Sequence, residues 1–257
     1  MTDSVLHTVD LGLLDYRRAL EAQAALVRSK CLGAGPDYLL LLEHPPVYTL
    51  GRGGDARHLL SVGDTPVYRV SRGGGATFHG PGQLVGYPVV DLTRHGRDVH
   101  VYLRRLEAAL VDALAAFGLV AAAVPGLTGV WANGLKIASI GVGVRRWITY
   151  HGFALNVDVD LGRFDRIVPC GLAGVRMTSM GALLSEPPAR AQVKEVVARA
   201  FGLHFGYRRV LWRHAEAQAP PPQGGGGAAV QPLSSDGAPA AFSWTTDSLF
   251  SGRPPRP

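Results

Sequence analysis

The stretch GVWANGLKIASI, residues 129–140, decides the local fold around the residues of greatest chemical interest. Apolar runs at 129–131 and 135–140 flank the dipeptide Asn-Gly at 133–134. A type I′ turn needs positive φ at both central residues, and Asn-Gly adopts that conformation easily. The sequence therefore predicts a β-hairpin, with Lys136 just inside the returning strand.

Helical and strand patterns alternate on either side of this hairpin. After the candidate N-cap Asp98, apolar residues recur at spacings of three and four until Gly118, which predicts a helix. Similar patterns predict helices over 13–30 and 189–201, and apolar runs predict strands over 38–42, 66–71 and 144–159. The predicted fold class is α/β in the mixed α+β sense, with mixed sheets covered by a few helices.

Composition excludes several classes of protein. The chain has 257 residues, of which 47% are hydrophobic and 18% charged, and these values exclude a wholly disordered, collagen-like or coiled-coil chain. Apolar runs are short, and the first ten residues, MTDSVLHTVD, carry neither a basic leader nor an apolar signal core. We therefore expect no membrane segment and a cytoplasmic location.

A change in composition predicts the domain boundary. From about residue 215 the chain is rich in Pro, Gly and Ala and poor in large apolar residues. Such a segment cannot build a core. We expect one catalytic domain at 1–214 and a disordered tail at 215–257, although Phe242, Trp244 and Phe250 leave open that part of the tail docks on the body or on a partner.

The charge balance favours acidic partners. The net charge is +6, the isoelectric point is near 9.6, and arginine supplies nearly all of the positive charge because the chain has three lysines, Lys30, Lys136 and Lys194. This balance suits nucleic acid or an acidic protein and does not choose between them.

The segment Arg72-Gly73-Gly74-Gly75-Ala76-Thr77-Phe78-His79-Gly80 is a candidate ligand loop. Its glycines allow close approach of backbone amides to an oxygen or phosphate. The segment matches neither the P-loop nor the dinucleotide fingerprint, because Pro81 and Gly82 prevent a helix from following it. A tight turn between strands explains it equally well.

Cys170 and Lys136 form a candidate nucleophile and its partner. Cys170 lies in the turn-like sequence Pro-Cys-Gly, whereas Cys31 closes a predicted helix as a small hydrophobe. A nearby ammonium stabilises the thiolate that a cysteine nucleophile requires. Lys136 suits that task because an amine, unlike a guanidinium, can lose and regain a proton. A structural cysteine and a solvated strand lysine remain the alternatives.

No metal or cofactor is predicted. The histidines show no metal-ligand spacing such as H-E-x-x-H, and the two cysteines form no CxxC pair. Five histidines are nevertheless candidates for ligand contact: His44, His79, His95, His100 and His151. Among these, His79 and His151 are singled out because each adjoins a glycine.

Four segments together resemble the octanoyl-[acyl carrier protein]:protein N-octanoyltransferases, also called lipoyl(octanoyl) transferases. They are EHPPVYTLGRGG (43–54), RGGGATFHGPGQLVGYPVVDL (72–92), GLKIASIGVGVRRWITYHGFALNV (134–157) and RIVPCG (166–171), within a match over roughly residues 5 to 210. The resemblance implies a single mixed α/β catalytic domain with the fold shared by lipoate and biotin protein ligases.

The resemblance also implies roles for individual residues. Cys170 would be the acyl-accepting nucleophile and Lys136 the residue that activates it. Three segments would line the acyl-substrate pocket, with the residues Arg72, Gly73, Gly74, Gly75, Ala76, Thr77, Phe78 and His79, then Ser139, Ile140 and Gly141, then Gly152, Phe153 and Ala154.

The resemblance implies the partners as well. The donor would be octanoyl-acyl carrier protein, and the acceptors would be lipoyl domains of 2-oxoacid dehydrogenase acyltransferase subunits and the glycine-cleavage H protein. The reaction would need neither ATP nor metal, since the thioester already stores the energy. Nucleic acid and membranes would take no part.

Three alternatives stay open. An ATP-dependent lipoate or biotin ligase would share the fold, although Gly80 follows His79 where the ligases would carry aspartate, and such a ligase does not need Cys170. A thioesterase would pass the acyl group to water. An arginine-rich binding protein without catalysis would show steep salt dependence with nucleic acid.

Overall fold

The structure is a computed structural model that describes residues 4–171, 174–214 and 231–232. In chain order its strands are β1 (Val5–Leu13), β2 (Asp37–Glu43), β3 (Val47–Leu50), β4 (Val67–Arg69), β5 (Ala76–His79), β6 (Gln83–Val89), β7 (Ala122–Val124), β8 (Leu127–Ala132), β9 (Leu135–Arg145), β10 (Ile148–Asn156), β11 (Arg209–His214) and β12 (Gln231–Pro232). The α-helices are α1 (Tyr16–Cys31), α2 (Val99–Ala115), α3 (Met180–Leu183) and α4 (Arg190–His204), with short 3₁₀ helices at Ala56–His58, Leu92–Arg94 and Leu161–Arg166.

The strands form two mixed sheets. The larger has the order β11-β1-β2-β6-β10-β9-β8-β7, in which β1 runs parallel to both of its neighbours and the other pairs are antiparallel. The smaller has the order β12-β4-β3-β5. All seven residues of β2 are buried, as its apolar run from Tyr38 to Leu42 predicts for a strand covered on both faces.

The helices cover both faces of the larger sheet. On one face α2 and α4 pack over a core that includes Leu39, Leu110 and Phe201. On the other face α1 buries Leu26 against Leu40 of β2. The smaller sheet has its own apolar cluster around Tyr48, Phe78 and Ile167. These layers confirm the predicted mixed α/β class.

The predicted hairpin at 129–140 is confirmed, because β8 and β9 pair antiparallel with Ala132 opposite Leu135. The Asp98 side chain accepts hydrogen bonds from the amides of His100 and Val101, as expected for the N-cap of α2. Asn133 and Gly134 both have positive φ, as an Asn-Gly hairpin turn requires.

Other predicted boundaries are wrong. The predicted strand at 144–159 is divided, because β9 continues to Arg145 and the chain then turns through Arg146 and Trp147, both at positive φ. The predicted helix at 13–30 begins at Tyr16 because Asp15 caps it, and Leu13 ends β1. The sequence reasoning missed β1 and β11, since their pairing partners are distant in the chain.

The predicted tail at 215–257 lies outside the described residues except for 231–232, which pair with β4. Within the part of the chain that the structure describes, no helix combines the length and the apolar character needed to cross a membrane.

Candidate active site

Lys136 and Cys170 come together across the junction between the two sheets. The Lys136 Nζ donates a hydrogen bond to the Cys170 Sγ over 3.2 Å. Lys136 lies on β9, 2% exposed, and Cys170 lies on a partly exposed turn after the 3₁₀ helix that ends at Arg166. The two residues are 34 positions apart in the chain. The sequence alone could therefore suggest the pair, but it could not show that the two side chains are in contact.

Backbone contacts hold each member of the pair. The Lys136 amide donates to Arg176 O, and its carbonyl accepts from the Thr178 amide, so a second chain segment runs beside β9 at this point. The Cys170 amide donates to Ala76 O on β5, over 2.9 Å. The amine and the thiol therefore sit on backbone that is fixed by neighbours on both sides.

The turn that carries Cys170 has a strained backbone. Cys170 has φ of 58°, which non-glycine residues adopt rarely, and Gly171 follows at 70°. A Cβ at Gly171 would lie 2.9 Å from the His58 ring, so this ring packs directly against the turn. The His58 carbonyl also accepts from the Val168 amide. No sequence motif marks His58, so it was not among the predicted site residues.

Gly129 makes room for the lysine side chain. Gly129 has φ of 127°, and a Cβ there would lie 2.6 Å from Lys136 Cε and 3.2 Å from Nζ. The Nζ also lies 5.5 Å from the centre of the Trp131 ring, within the range of a cation–π contact. The hairpin thus supplies the lysine, the space for it and an aromatic face beside it.

A cleft opens beside the thiol, between the glycine-rich loop and the strands β9 and β10. Twelve of the predicted substrate residues line it together with Cys170, namely Arg72, Gly74, Gly75, Ala76, Thr77, His79, Ser139, Ile140, Gly141, Gly152, Phe153 and Ala154. Gly73 and Phe78 do not line the cleft. The Phe78 ring instead packs against Tyr48 and Phe164 in the core of the smaller sheet, because alternate residues of β5 face opposite sides.

Three further described residues also line the cleft: Tyr16, Tyr87 and His151. His151 was a candidate from sequence because it adjoins Gly152. The two tyrosines were missed, since Tyr16 begins a helix and Tyr87 lies in a buried strand, where an aromatic residue normally signals core packing.

The buried histidines of this region are neutral. Burial lowers the pKa of His44 to about 4 and the pKa of His151 to about 3, and it lowers the pKa of His79 well below its usual value. His44 Nε2 hydrogen bonds with the Tyr87 hydroxyl, and His79 Nδ1 with the Gln83 side chain. His79 and His151 line the cleft, so they can exchange hydrogen bonds with a ligand but add no charge at neutral pH. His44 does not line the cleft, and both of its ring nitrogens already bond to the Leu14 carbonyl and the Tyr87 hydroxyl.

Acid should therefore destabilise the fold. The folded pKa of His44, His79 and His151 lies below the unfolded value of 6.5, so the unfolded chain binds more protons below that pH. Their contribution to the free energy of unfolding is fully present above pH 6.5 and is lost progressively as the pH falls toward 4. We expect the free energy of unfolding at pH 5 to be lower than at pH 7 by up to about 2 kcal/mol per histidine.

Urea denaturation at pH 5, 6 and 7 measures this loss. The variant His151→Phe should show a smaller pH dependence of stability than wild type. Equal stability at pH 5 and pH 7 would contradict the argument.

Gly75 should tolerate no side chain. A Cβ at Gly75 would lie 2.8 Å from the Cys170 carbonyl carbon, whereas one at Gly53, on the adjacent loop, would find its nearest neighbour at 3.5 Å. Displacing a reacting group by about 1 Å can cost roughly 10²-fold in rate. We expect Gly75→Ala to lower kcat/KM by about that factor and Gly53→Ala to leave it nearly unchanged. Steady-state kinetics of the two folded variants make the comparison, and equal activities would contradict the packing argument.

The described residues include no group of three or more His, Cys, Asp or Glu side chains that could hold a metal ion. The groups available for chemistry at this site are a thiol, an amine, a guanidinium and backbone amides around an apolar-lined cleft.

Solved structures share this fold. A bipartite lipoate protein ligase from Thermoplasma acidophilum aligns with a TM-score of 0.58 and 16% identity, over 81% of this chain and 85% of that one. A lipoate-protein ligase A bound with ATP aligns with a TM-score of 0.59 and 16% identity, over 83% of this chain and 88% of that one. At such low identity the likeness concerns the fold alone, and it confirms the predicted relation to the lipoate ligase fold.

The fold and the site define a catalytic domain of the lipoyl protein ligase A/B class, and the family model described as "Lipoyl protein ligase A/B catalytic domain" matches residues 15–202. An octanoyltransferase of Geobacter metallireducens is 53% identical over 192 residues, which cover 75% of this chain and 90% of that protein. One of Gloeobacter violaceus is 50% identical over 202 residues, or 77% and 89% of the two chains. The chain belongs to the octanoyltransferase family, as the four quoted segments predicted.

Proposed function

We propose that this protein transfers an octanoyl group from octanoyl-acyl carrier protein to a lysine of a lipoyl domain, through a thioester on Cys170. The observation that carries the proposal is the 3.2 Å contact between Lys136 Nζ and Cys170 Sγ at the edge of the cleft. Membership of the octanoyltransferase family supports the acyl group. The contact supports the route, because a buried ammonium beside a thiol favours the thiolate.

In the first step the Cys170 thiolate attacks the carbonyl carbon of the donor thioester. A bond forms between that carbon and Sγ, and the bond to the carrier's sulfur breaks. The carrier's sulfur leaves with its electron pair and takes a proton from the Lys136 ammonium. The enzyme then holds the octanoyl group, and Lys136 is a neutral amine.

In the second step the ε-amine of the acceptor lysine attacks the acyl carbon. A carbon–nitrogen bond forms and the bond to the Cys170 sulfur breaks, so the sulfur leaves as a thiolate. Lys136 accepts the proton that the attacking nitrogen loses, which restores the starting charges. Backbone amides of the glycine-rich loop near the cleft stabilise the oxyanion formed in both steps.

The acceptors in this proposal are lipoyl domains of 2-oxoacid dehydrogenase acyltransferase subunits and the glycine-cleavage H protein. The net charge of +6 favours encounter with acidic carrier and lipoyl domains. Two free, partly exposed cysteines suit a reducing compartment, and we propose the cytoplasm.

Intact-mass spectrometry tests the proposal. Wild-type protein is mixed with octanoyl-acyl carrier protein and then with an apo lipoyl domain, without ATP. We expect an octanoyl adduct on wild type that is absent from Cys170→Ala, and its subsequent appearance on the acceptor. Modification only with free octanoate and ATP would establish a ligase instead, and release of octanoate with an unmodified acceptor would establish a thioesterase.

A further inference from the structure

Lys136 has two tasks that need opposite protonation states. It must be an ammonium to stabilise the Cys170 thiolate, and it must be a neutral amine to accept the proton of the attacking lysine. While Lys136 is neutral, it cannot stabilise an anion in the cleft by electrostatic attraction. A second cation, one that cannot lose its proton, would remove this conflict.

Arg72 has the properties of such a cation. Its side chain is buried, at 8% exposure, and it lines the same cleft as Cys170. Nη1 donates to Gly73 O, and Nη2 donates to Gly75 O and to both the carbonyl and the hydroxyl oxygen of Thr49. All four acceptors are neutral. Among the described residues no carboxylate lies within ion-pair distance of this guanidinium, and its buried Nε has no hydrogen-bond partner.

A buried charge without a counterion is costly, so its retention needs an explanation. Of the two other buried Lys or Arg side chains among the described residues, Lys30 pairs with Asp37 at 2.7 Å, whereas Lys136 contacts the Cys170 sulfur. Holding two loops together would not require a charge, because amide groups could donate to the same oxygens. An anion that forms in the adjacent cleft would be the missing counterion of this guanidinium, and it would explain why the buried charge is retained.

The contacts of Arg72 lead directly to Cys170. The Gly75 carbonyl accepts from Arg72 Nη2, and Gly75 packs against the Cys170 backbone so closely that a Cβ would lie 2.8 Å from its carbonyl carbon. Burial lowers the pKa of Arg72, while the anionic forms of Tyr16, Cys170 and Tyr87 raise it. The nearby His79 and His151 are neutral, so they neither compete with Arg72 nor replace it.

We propose that Arg72 is a second cation of this site that stays protonated throughout the reaction. Its positive charge stabilises the Cys170 thiolate, and it stabilises the acyl oxyanion at the stage when Lys136 is neutral. The part that concerns the oxyanion rests on the proposed acyl-enzyme route. The part that concerns the thiolate does not need a substrate, and it can therefore be tested separately.

The test is the rate of Cys170 alkylation by iodoacetamide at pH 7, followed by intact mass in a Cys31→Ser background. Iodoacetamide reacts with the thiolate, so loss of thiolate stabilisation lowers the alkylation rate. We expect Lys136→Gln and Arg72→Gln each to lower the rate about 3- to 10-fold, and the double variant to lower it further. An unchanged rate in folded Arg72→Gln, in both the wild-type and the Lys136→Gln background, would overturn the proposal.

Two further variants separate charge from structure, since Arg72 also ties two loops together. Arg72→Lys keeps the charge with fewer hydrogen bonds and should retain most of the alkylation rate, even if it is less stable. Arg52→Gln removes an exposed arginine whose amide donates to Arg72 O, and it should change the rate by less than about 2-fold. If Arg72→Lys falls as far as Arg72→Gln, the residue is a structural anchor and the proposal is wrong.

These outcomes are distinct from failure of the proposed function. If wild type gains no octanoyl adduct, the acyl-enzyme route fails, whereas the alkylation rates still decide whether Arg72 stabilises the thiolate. If the adduct forms and Arg72→Gln alkylates as fast as wild type, the route stands and the role of Arg72 fails.

Discussion

Replacing Cys170 with serine is expected to lower octanoyl transfer by roughly 10⁴-fold or more, because the reaction then lacks its nucleophile. The serine hydroxyl is nearly isosteric with the thiol, so the turn at φ of 58° is kept and the loss reports chemistry rather than folding. A hydroxyl holds its proton far more tightly than a thiol, and an ammonium at 3.2 Å cannot convert it to an alkoxide at neutral pH. The rate of octanoyl amide formation on a lipoyl domain measures the effect.

The other cysteine provides the matched control for this prediction. Cys31 is the last residue of α1, where it packs at the margin of the core beneath that helix. Cys31→Ser should retain transfer to within a few-fold of wild type. Full activity in Cys170→Ser, or a comparable loss in Cys31→Ser, would show that the contact between Lys136 and Cys170 does not carry the reaction.

Replacing Lys136 with methionine is expected to lower octanoyl transfer by roughly 10²- to 10⁴-fold, the usual range for loss of a general acid–base group. Methionine fills a similar volume and brings no charge, so the buried site on β9 stays packed. Both steps should slow, because the carrier's sulfur loses its proton donor and the attacking amine loses its proton acceptor. Rapid-quench measurement of acyl-enzyme formation and decay resolves the two steps.

Lys194 provides the matched control, because it is a partly buried lysine that lies away from the cleft. It lies on α4, where its Nζ pairs with both carboxylate oxygens of Asp10 at 2.8 Å, and it does not line the cleft. Lys194→Met should cost some stability through the lost ion pair but leave kcat nearly unchanged. If Lys136→Met transfers the octanoyl group at the wild-type rate, Lys136 takes no part in either proton transfer.

Local patterns determined much of the fold. The Asn-Gly turn, the Asp98 cap of α2 and the apolar run of β2 all depend on interactions between residues near each other in the chain, and each prediction was confirmed. Two strands that the sequence did not predict, β1 and β11, depend on a partner that is distant in the chain. The strand β1 pairs with β11, about 200 residues away, and no local pattern marked either of them.

The sequence by itself determined the chemical groups at the site: a thiol in a turn, an amine on a hairpin strand and a glycine-rich loop. Only the tertiary structure brought Lys136 within 3.2 Å of Cys170, left Arg72 without a carboxylate partner among the described residues and buried three histidines in their neutral form. The physical reason is that distances, desolvation and charge pairing depend on every segment that packs around a group. Residue type and spacing decide which chemistry is available, whereas burial and proximity decide which charges the groups carry.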